Sequence, residues 1–226
     1  MLTSAASPSS AGLRARNGVI QYTRFGRYGY SQIWTMTATG AHRHPLTTGR
    51  AQRSYDGSYS PDGKRIVFVR SIKDPGVGLP GELWVMNADG SHKRQLTFTP
   101  SIDESDPAWS PNGKKIAFTA NGIWIMDAAG RHRRRLASTR LIDSRPSWSP
   151  DGTQIAYADT TSSGLPPISG LQIYVVKTSG GSPTNLTSDS SVAAFSRPGR
   201  RTATRSSSAA IAAISRTPTT NRTSGS

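Results

Sequence analysis

Three of the four histidines in the chain recur at one position of a repeated segment, which makes them the first candidates for metal binding or acid–base chemistry. They are His42, His92 and His132, spaced 50 and 40 residues apart. A zinc site needs three or four ligands that converge on one ion. Equivalent residues on separate repeating units lie apart on a ring and do not converge. The sequence therefore predicts no metal site.

Other residue types that do covalent chemistry are missing or lack partners. The chain has no cysteine, which excludes disulfides, thiolate nucleophiles and zinc sites of the cysteine type. The serines lack a nucleophile elbow with acid and base partners. Residues 76–81 match the glycine fingerprint of dinucleotide-binding proteins, but a strand pattern rather than a helix follows them, so we predict a loop. We expect no catalytic residue, no cofactor and no enzyme activity.

Several carboxylates lie just before the strands that begin each repeat. They are Asp103, Glu104, Asp106 and Asp143. Asp side chains at such positions often bond to the backbone two residues on, in Asx-type turns. We therefore expect a local, turn-forming role for these carboxylates.

The net charge of +15 would suit a nucleic-acid or acidic partner, but its distribution weakens this interpretation. Six arginines and no acidic residue lie between residues 197 and 226, which leaves 22 basic and 13 acidic side chains in residues 1–196. The basic run at 131–135 occupies the same repeated turn as the segments around His42 and His92. We therefore expect no nucleic-acid partner.

A repeat of short strands and turns organises the chain. Each full unit opens with an aromatic residue and Ser-Pro-Asp/Asn-Gly, at residues 59–63, 109–113 and 148–152. Proline presets φ in this corner, and Asp or Asn followed by glycine tolerates positive φ. Next come an alternating second strand and a third strand with an aromatic residue. A turn then leads to a last short strand at a Leu-Thr or Leu. The N-terminal part, 19–47, supplies this unit without its first strand.

The spacing inside the unit is constant except at one connection. The aromatic residues of the first and second strands are nine positions apart in all three full units. The third-strand aromatic residue and the fourth-strand leucine are twelve positions apart in all four units. The step from the second to the third strand instead takes 12, 16, 6 and 17 residues. A rigid unit with one adjustable loop explains this pattern.

Four strands with period-2 alternation predict an antiparallel sheet that meanders. One such sheet cannot bury both faces, whereas sheets stacked radially do so, and the product is a β-propeller. We predict an all-β fold, an incomplete β-propeller of four-stranded antiparallel blades with three full blades plus one partial, over residues 17–196. Residues 1–16 are predicted to be disordered and show no signal-peptide pattern. The sequence has no apolar run long enough to span a membrane.

The segments Trp-Ser-Pro-Asp-Gly, Lys-Ile-Ala-Phe, Ile-Trp-x-Met-Asn-Ala-Asp-Gly and Arg-x-Leu-Thr resemble the repeat of TolB-like, or WD40-like, propellers. The resemblance implies a non-enzymatic scaffold for protein or peptide binding, as in TolB-type cell-envelope propellers, which commonly have six blades. It also implies a periplasmic or other extracytoplasmic location, although the sequence itself leaves the compartment unknown. Related blades accompany hydrolase domains in some peptidases, so an accessory propeller of a hydrolase whose catalytic domain is elsewhere is an alternative.

The adjustable loop is the best candidate for a binding site, because insertions on one face of a repeat array often mark its binding face. The loops at 24–31, 71–81 and 160–170 are expected to project from the same end of the propeller. They carry the mixed aromatic and charged residues that protein interfaces favour. The predicted partner-binding residues are Arg24, Arg27, Tyr28, Tyr30, Lys73 and Asp74.

The repeat pattern stops near residue 196, and residues 197–226 form an Arg/Ser/Thr-rich tail that we predict to be disordered. The repeat spacing places the next corner at position 198 or 199. Chosen codons for residues 197–203, read two bases later, encode Ala-Trp-Ser-Pro-Asp-Gly. This agreement suggests the hypothesis that one base was lost at residues 196/197. A degenerate fragment without function, whose unpaired blade edges promote oligomerisation, is therefore a second alternative.

Overall fold

The computed structural model describes residues 18–26, 30–49, 52–74, 77–78, 80–139, 144–160 and 171–187. These residues form sixteen β-strands in four antiparallel sheets and no helix, so the predicted all-β fold is confirmed. Within the same ranges no helix has the length and apolar character needed to cross a membrane. The segments 1–16 and 197–226, together with the suggested site of base loss, lie outside the described residues.

The first sheet is the partial blade. Its strands, in the order β1-β2-β3, are β1 (Val19–Phe25), β2 (Ser31–Thr37) and β3 (His44–Pro45). The pairing of β1 with β2 places Tyr22 opposite Trp34, as the second and third strands of the other blades place their aromatic residues. Within the described part of the chain, blade 1 therefore lacks a first strand, as predicted.

The second sheet is a complete blade with a short additional strand. Its strands are β4 (Gln52–Tyr59), β5 (Arg65–Asp74), β6 (Val77–Gly78), β7 (Glu82–Asn87) and β8 (Arg94–Gln95). The order β4-β5-β7-β8 forms the meander, and β6 pairs with β5 off this path. β6 therefore lengthens the second-to-third connection into a small hairpin.

The third and fourth sheets repeat the four-stranded meander. Blade 3 contains β9 (Ser105–Trp109), β10 (Lys115–Thr119), β11 (Ile123–Asp127) and β12 (Arg134–Ala137). Blade 4 contains β13 (Ser147–Trp148), β14 (Gln154–Thr160), β15 (Leu171–Lys177) and β16 (Thr184–Asn185). The second- and third-strand aromatic residues stack in both blades, Phe118 on Trp124 and Tyr157 on Tyr174. Three full blades and one partial blade are thus confirmed.

The Ser-Pro-Asp/Asn-Gly corner depends on a serine hydroxyl that donates one hydrogen bond and accepts another. In blade 2, Ser60 Oγ donates to Asp62 Oδ1 at 2.5 Å and accepts from the Arg65 N–H at 3.0 Å. Gly63 has a φ of 69°, a conformation that residues with a Cβ rarely adopt. The corners of blades 3 and 4 repeat the hydrogen bonds and the glycine conformation. The predicted corner is confirmed, and glycine takes the positive φ.

The sequence analysis predicted that the last strand of a repeat includes its Leu-Thr pair. In the structure, the pair lies just beyond the end of that strand. In blade 2, β8 ends at Gln95. Thr97 Oγ1 then accepts from the N–H of Leu83 on the third strand at 2.9 Å, in place of a backbone carbonyl. Thr47 and Thr187 make the same 2.9 Å hydrogen bond in blades 1 and 4. The threonine hydroxyl thus satisfies a backbone N–H of the third strand, and the backbone pairing between the third and fourth strands ends there.

Hydrophobic clusters hold successive blades together. The cluster between blades 1 and 2 contains Ile33, Leu46, Ile66, Phe68 and Met86. Alternation along β5 turns Ile66 and Phe68 toward blade 1 and Val67 and Val69 toward blade 3. Each blade thus has a preceding face, toward the blade before it in the chain, and a following face, toward the blade after it. The junction of blades 3 and 4 is filled by a third cluster.

Indole hydrogen bonds join the first strands of neighbouring blades. Trp109 Nε1 donates to Ser58 O at 3.1 Å, and Trp148 Nε1 donates to Ala108 O at 3.0 Å. Strands β4, β9 and β13 therefore lie side by side along the inner edge of the stack, and the later strands of each blade lie outward from them. This arrangement fixes which end of every blade carries the variable loops.

Candidate functional site

The meander places two kinds of connection at one end of the stack. Because neighbouring strands run antiparallel, the second-to-third connections lie opposite the Ser-Pro-Asp/Asn-Gly corners. The linkers between blades lie at the same end as the second-to-third connections. We call this side the loop end; its described residues include Gly26, Tyr30, Gly49, Pro80 and Pro100.

A pocket of about 420 Å³ lies at the loop end of blade 1. Arg24 and Tyr30, two of the predicted partner-binding residues, both line it. The Arg24 guanidinium lies over the ring of Trp34, 4.6 Å from the ring centroid. Gln32 and Phe25 contribute further to the wall. The structure thus brings Arg24 and Tyr30 together around an aromatic residue that the prediction had not included in the site.

The other predicted residues lie on blade 2 or outside the described chain. Lys73 and Asp74 are the last residues of β5, and their backbones pair with β6, so they lie on the loop-end hairpin of blade 2. Their backbones therefore lie on a different blade from Arg24 and Tyr30. Arg27 and Tyr28 lie outside the described residues.

A second pocket, of about 350 Å³, lies at the loop end of blade 2. Arg70 lies over the Trp84 ring, 4.8 Å from its centroid. Glu82 lines the same pocket beside them, with Pro80 and Pro100 from the neighbouring connections. Sequence analysis missed Arg70, Trp84 and Glu82, because the predicted loop of blade 2, 71–81, lay between them, whereas that of blade 1, 24–31, began at Arg24.

Strand pairing shows that the two pockets occupy the same position in the repeat. Arg24 is opposite Gln32 in blade 1, and Arg70 is opposite Glu82 in blade 2. Both pairs lie on the preceding face, two residues from the aromatic residues that oppose each other on the second and third strands. The arginine–tryptophan stack is therefore a repeated feature, which the spacing Arg-x₉-Trp in blade 1 and Arg-x₁₃-Trp in blade 2 obscured.

The residue opposite each arginine is held in place by the Leu-Thr segment. Thr47 Oγ1 donates to Gln32 Oε1 at 2.6 Å. Thr97 Oγ1 lies 2.8 Å from Glu82 Oε2 and also contacts Glu104 Oε2, so the two carboxylates share its single O–H. The Thr99 N–H also donates to Glu82 Oε1 at 2.6 Å. These hydrogen bonds fix one wall of each pocket on the rigid end of a strand, which is the requirement for a preorganised site.

The two guanidinium groups have unused donor capacity. Among the described residues, neither Arg24 nor Arg70 has a hydrogen-bond acceptor or an ion-pair partner within bonding distance. Burial lowers the pKa of Arg70 from its ordinary value, although a guanidinium stays charged at neutral pH. A planar guanidinium with free N–H groups matches a carboxylate in a bidentate geometry. The pocket of blade 1, which has the neutral Gln32, is more favourable for an anion than the pocket of blade 2.

Blade 3 fills the equivalent position with its own residues. The arginine position is Ala120, and the opposing position is Gly122. Arg133, from the turn before β12, instead lies over the Trp124 ring at 5.9 Å from its centroid and pairs with Glu104 at 2.9 Å. Its guanidinium therefore has a partner within the protein, and blade 3 does not repeat the open pocket.

The carboxylates expected in Asx-type turns have longer-range roles at two positions, which corrects that expectation. Asp103 Oδ1 accepts from the N–H of Gly81 at 2.6 Å, and so joins the linker to the second-to-third connection of blade 2. Glu104 is fully buried and accepts from the Leu83 N–H at 3.3 Å. Asp106 accepts locally, from the neighbouring Ser105 hydroxyl at 3.3 Å. Asp143 lies outside the described residues.

The three equivalent histidines have a conformational role. Their φ angles are 49°, 50° and 55° at His42, His92 and His132, in the left-handed region where His is more common than most residues. His132 Nδ1 lies 3.0 Å from Asp127 Oδ2 of its own turn. No group of His, Cys, Asp and Glu suited to a metal ion occurs among the residues that the structure describes.

No protein-family model matches the sequence, and no curated protein matches it. Solved structures do resemble the chain. A putative TolB from Agrobacterium tumefaciens superposes with a TM-score of 0.59 at 22% identity, over 74% of this chain and 60% of that one. TolB from Acinetobacter baumannii gives 0.57 at 22% identity, over 75% and 40%. A structure of a nidogen/laminin complex gives 0.59 at 15% identity, over 76% of this chain and 61% of that one.

These similarities establish the fold, a β-propeller similar to those of the matched TolB structures. At identities of 22% and below, they carry no residue role from one protein to another. The chain spans 60% and 40% of the two TolB chains that it matches. What the blades of this chain bind must therefore be argued from their own residues.

Proposed function

We propose that this chain, which has the fold of a TolB-like β-propeller, is a non-enzymatic scaffold that binds a protein or peptide through the loop end of its blades. The observation that carries the proposal is the pair of equivalent pockets on blades 1 and 2, each with an arginine over a tryptophan. Because the pockets repeat on neighbouring blades, an extended ligand meets two similar contacts in succession.

The chemistry of the pockets favours a peptide segment that carries a carboxylate. Arg24 offers its N–H groups without a competing acid, since its opposing residue is Gln32. Arg70 is opposed by Glu82, so the second pocket suits a polar group with both donor and acceptor, such as a peptide amide. The rings of Trp34 and Trp84 supply the apolar surface that protein interfaces use as anchors.

The similarity to other propellers is consistent with a protein partner. One of the matched structures is a nidogen/laminin complex, in which a protein binds another protein. The TolB-like fold was also the basis for expecting a scaffold from the sequence. The role of Arg24 and Tyr30 in binding, and that of Arg27, Tyr28, Lys73 and Asp74, remains part of this proposal.

The test uses a random peptide library displayed on phage and the full chain as the immobilised target. Selected peptides are expected to be enriched in Asp and Glu. Their affinity is then measured for the double variant Arg24→Gln/Arg70→Gln. The matched control is Lys64→Gln/Lys114→Gln, which removes two exposed charges at the opposite end of blades 2 and 3. We expect at least a tenfold loss of affinity in the first variant, about 1.4 kcal/mol or more, and little change in the control.

Equal binding by the two double variants would refute the loop-end site. If no peptide is selected, and a hydrolase that acts on peptides co-purifies with the chain in constant ratio, the accessory-propeller alternative gains support instead. Circular dichroism of each variant checks that the change in affinity does not come from unfolding. The two arginines are partly or fully exposed, so the substitutions should leave the fold intact.

A further inference from the structure

The preceding face of blade 1 is uncovered in the described structure. Ile20 is 42% exposed. Its equivalents in blades 2 to 4 are fully buried at the blade junctions; they are Ile66, Ile116 and Ile155, each at 0%. Met36 is half-buried on the same face, whereas its equivalent Met86 is 1% exposed. Blade 1 therefore presents the apolar residues of a blade junction, and no blade among the described residues covers them.

The following face of blade 4 is uncovered in the same way. Leu186 is 50% exposed. The equivalent leucines at the three junctions within the chain are buried; they are Leu46 at 4%, Leu96 at 7% and Leu136 at 8%. Ile173 is half-buried on this face, and its equivalent Ile33 is at 0%. The two ends of the stack thus display the two halves of one kind of junction.

The junctions inside the chain show how these halves fit together. Gly90, in the turn of blade 2, lies directly on Leu46 of blade 1, since an added Cβ would be 3.0 Å from Leu46 O. Gly130 lies on Leu96 in the same way, at 2.7 Å. The equivalent glycine of blade 1, Gly40, has a similar φ of 79°, but an added Cβ there would meet only Arg43 Nη2 within 4 Å among the described atoms.

We propose that two copies of this chain associate through these faces, with the following face of blade 4 in one copy packed against the preceding face of blade 1 in the other. Gly40 of one copy then lies on Leu186 of the other, as Gly90 lies on Leu46 within the chain. The contact joins two different surfaces, and a twofold axis that repeats it covers both uncovered faces of each copy.

A second copy is the occupant that the internal junctions favour, because it continues an interface that the chain already makes three times. The association does not require the peptide pockets to close. The pocket of blade 2 stays open beside blade 1, so the equivalent pocket of blade 1 stays open beside a docked blade. The inference is therefore independent of the proposed function, and different residues test it.

Cysteine cross-linking tests the contact directly, because the chain has no cysteine of its own. Gly40→Cys and Leu186→Cys are prepared as separate full-length proteins and mixed under mild oxidation. The in-chain template, with 3.3 Å from the built Gly90 Cβ to Leu46 Cβ, is close to the separation that a disulfide needs. We expect a disulfide-linked dimer of about 48 kDa, twice the 24.2 kDa of one chain, in the mixture only. Phe98→Cys, at an exposed linker position, is the control in place of Leu186→Cys.

The mass of the unmodified protein supplies the second measurement. Light scattering at tens of micromolar should give a dimer, and Leu186→Glu or Ile20→Glu alone should give a monomer. Mixing these two variants should restore a dimer through one intact junction, which an interface between identical surfaces would not allow. A 24.2 kDa mass for the unmodified protein, or cross-linking of Leu186→Cys with itself as efficient as the mixture, would overturn the proposal. The first outcome would mean that residues 188–226 or another protein cover Leu186.

Discussion

The Arg133 guanidinium lies 2.9 Å from the Glu104 carboxylate, Nη2 to Oε1, and Glu104 is fully buried. Glu104 also accepts from Leu83 of blade 2, while Arg133 lies over Phe118 of blade 3. The ion pair therefore joins the two central blades at their loop end. It also fixes the Arg133 guanidinium over Trp124, at the position where blades 1 and 2 have an open pocket.

Removing one member of this pair should destabilise the protein. Arg133→Met leaves a buried carboxylate without its counter-charge, and such changes typically cost about 3–5 kcal/mol. Arg133 is one-quarter exposed, so we expect the lower end of that range, about 3 kcal/mol, from urea unfolding. Arg131→Met breaks the exposed pair with Asp127 and should cost less than about 1 kcal/mol. Equal effects of the two substitutions would contradict the assignment.

The stability of the protein should also depend on pH through Glu104. Burial raises the pKa of Glu104 above its ordinary value of 4.5, and the hydrogen bonds from Thr97 and Thr99 and the charge of Arg133 lower it only in part. The folded protein then holds this proton more tightly than the unfolded chain does. The contribution of Glu104 to the free energy of unfolding is therefore largest below about pH 4.5, and it falls as the pH rises through the raised pKa.

The measurement is the difference in free energy of unfolding between the natural protein and Glu104→Gln at a series of pH values. The side chain of Gln does not titrate, so other groups cancel in this difference. We expect the difference to move against the natural protein as the pH rises above about 4.5 and then to become constant. A difference that moves in the opposite direction would show that the ion pair outweighs burial.

The Leu-Thr segment should stabilise its blade through the threonine hydroxyl. Thr47→Ala leaves the buried N–H of Ile33 without its acceptor, which typically costs about 1–3 kcal/mol. Thr48→Ala, at the exposed neighbouring position, should change the free energy of unfolding by less than about 0.5 kcal/mol. If both substitutions are neutral, the hydroxyl does not terminate the ladder as described.

Substitution of the turn glycines should distinguish the free-energy cost of a positive φ from that of a steric clash between blades. Gly130→Ala introduces a Cβ at a φ of 89° and 2.7 Å from Leu96 O, whereas Gly40→Ala has a similar φ and no backbone atom within 4 Å. In the monomeric Leu186→Glu background, we expect Gly130→Ala to be more destabilising by about 1–3 kcal/mol, the usual cost of overpacking. Thermal unfolding measures both, and equal shifts in Tm would argue against the tight junction.

Most of the fold could be predicted from the sequence because the repeat constrains it at many points. Ser60 and Gly63 make a corner through local bonds, so their pattern is visible in the sequence. The constant spacing between Trp84 and Leu96 follows from the invariant turn between two paired strands. What could not be predicted was the end of the last strand, since it depends on a bond from Thr97 to another strand.

Less of the candidate site could be predicted. Arg24 and Tyr30 fell within the predicted loop of blade 1, 24–31, and were included. The equivalent Arg70 lies one residue before the predicted loop of blade 2, 71–81, and Trp84 lies on the strand after it, so neither was included. Which guanidinium stays open depends on residues distant in the chain: Arg133 is paired because Glu104 lies on the linker before its blade. A pattern of single positions along the sequence does not show such a contact.

The most direct test of the loop-end binding face is a backbone hydrogen-exchange footprint of the full chain with and without a selected acidic peptide. We expect slower exchange at the loop end, in fragments that contain residues 30–32 of blade 1 and Glu82 of blade 2. Exchange at the opposite corners, around Lys64 and Lys114, should not change. Protection at those corners with none at the loop end would contradict the claim that the arginine–tryptophan pockets are the binding face.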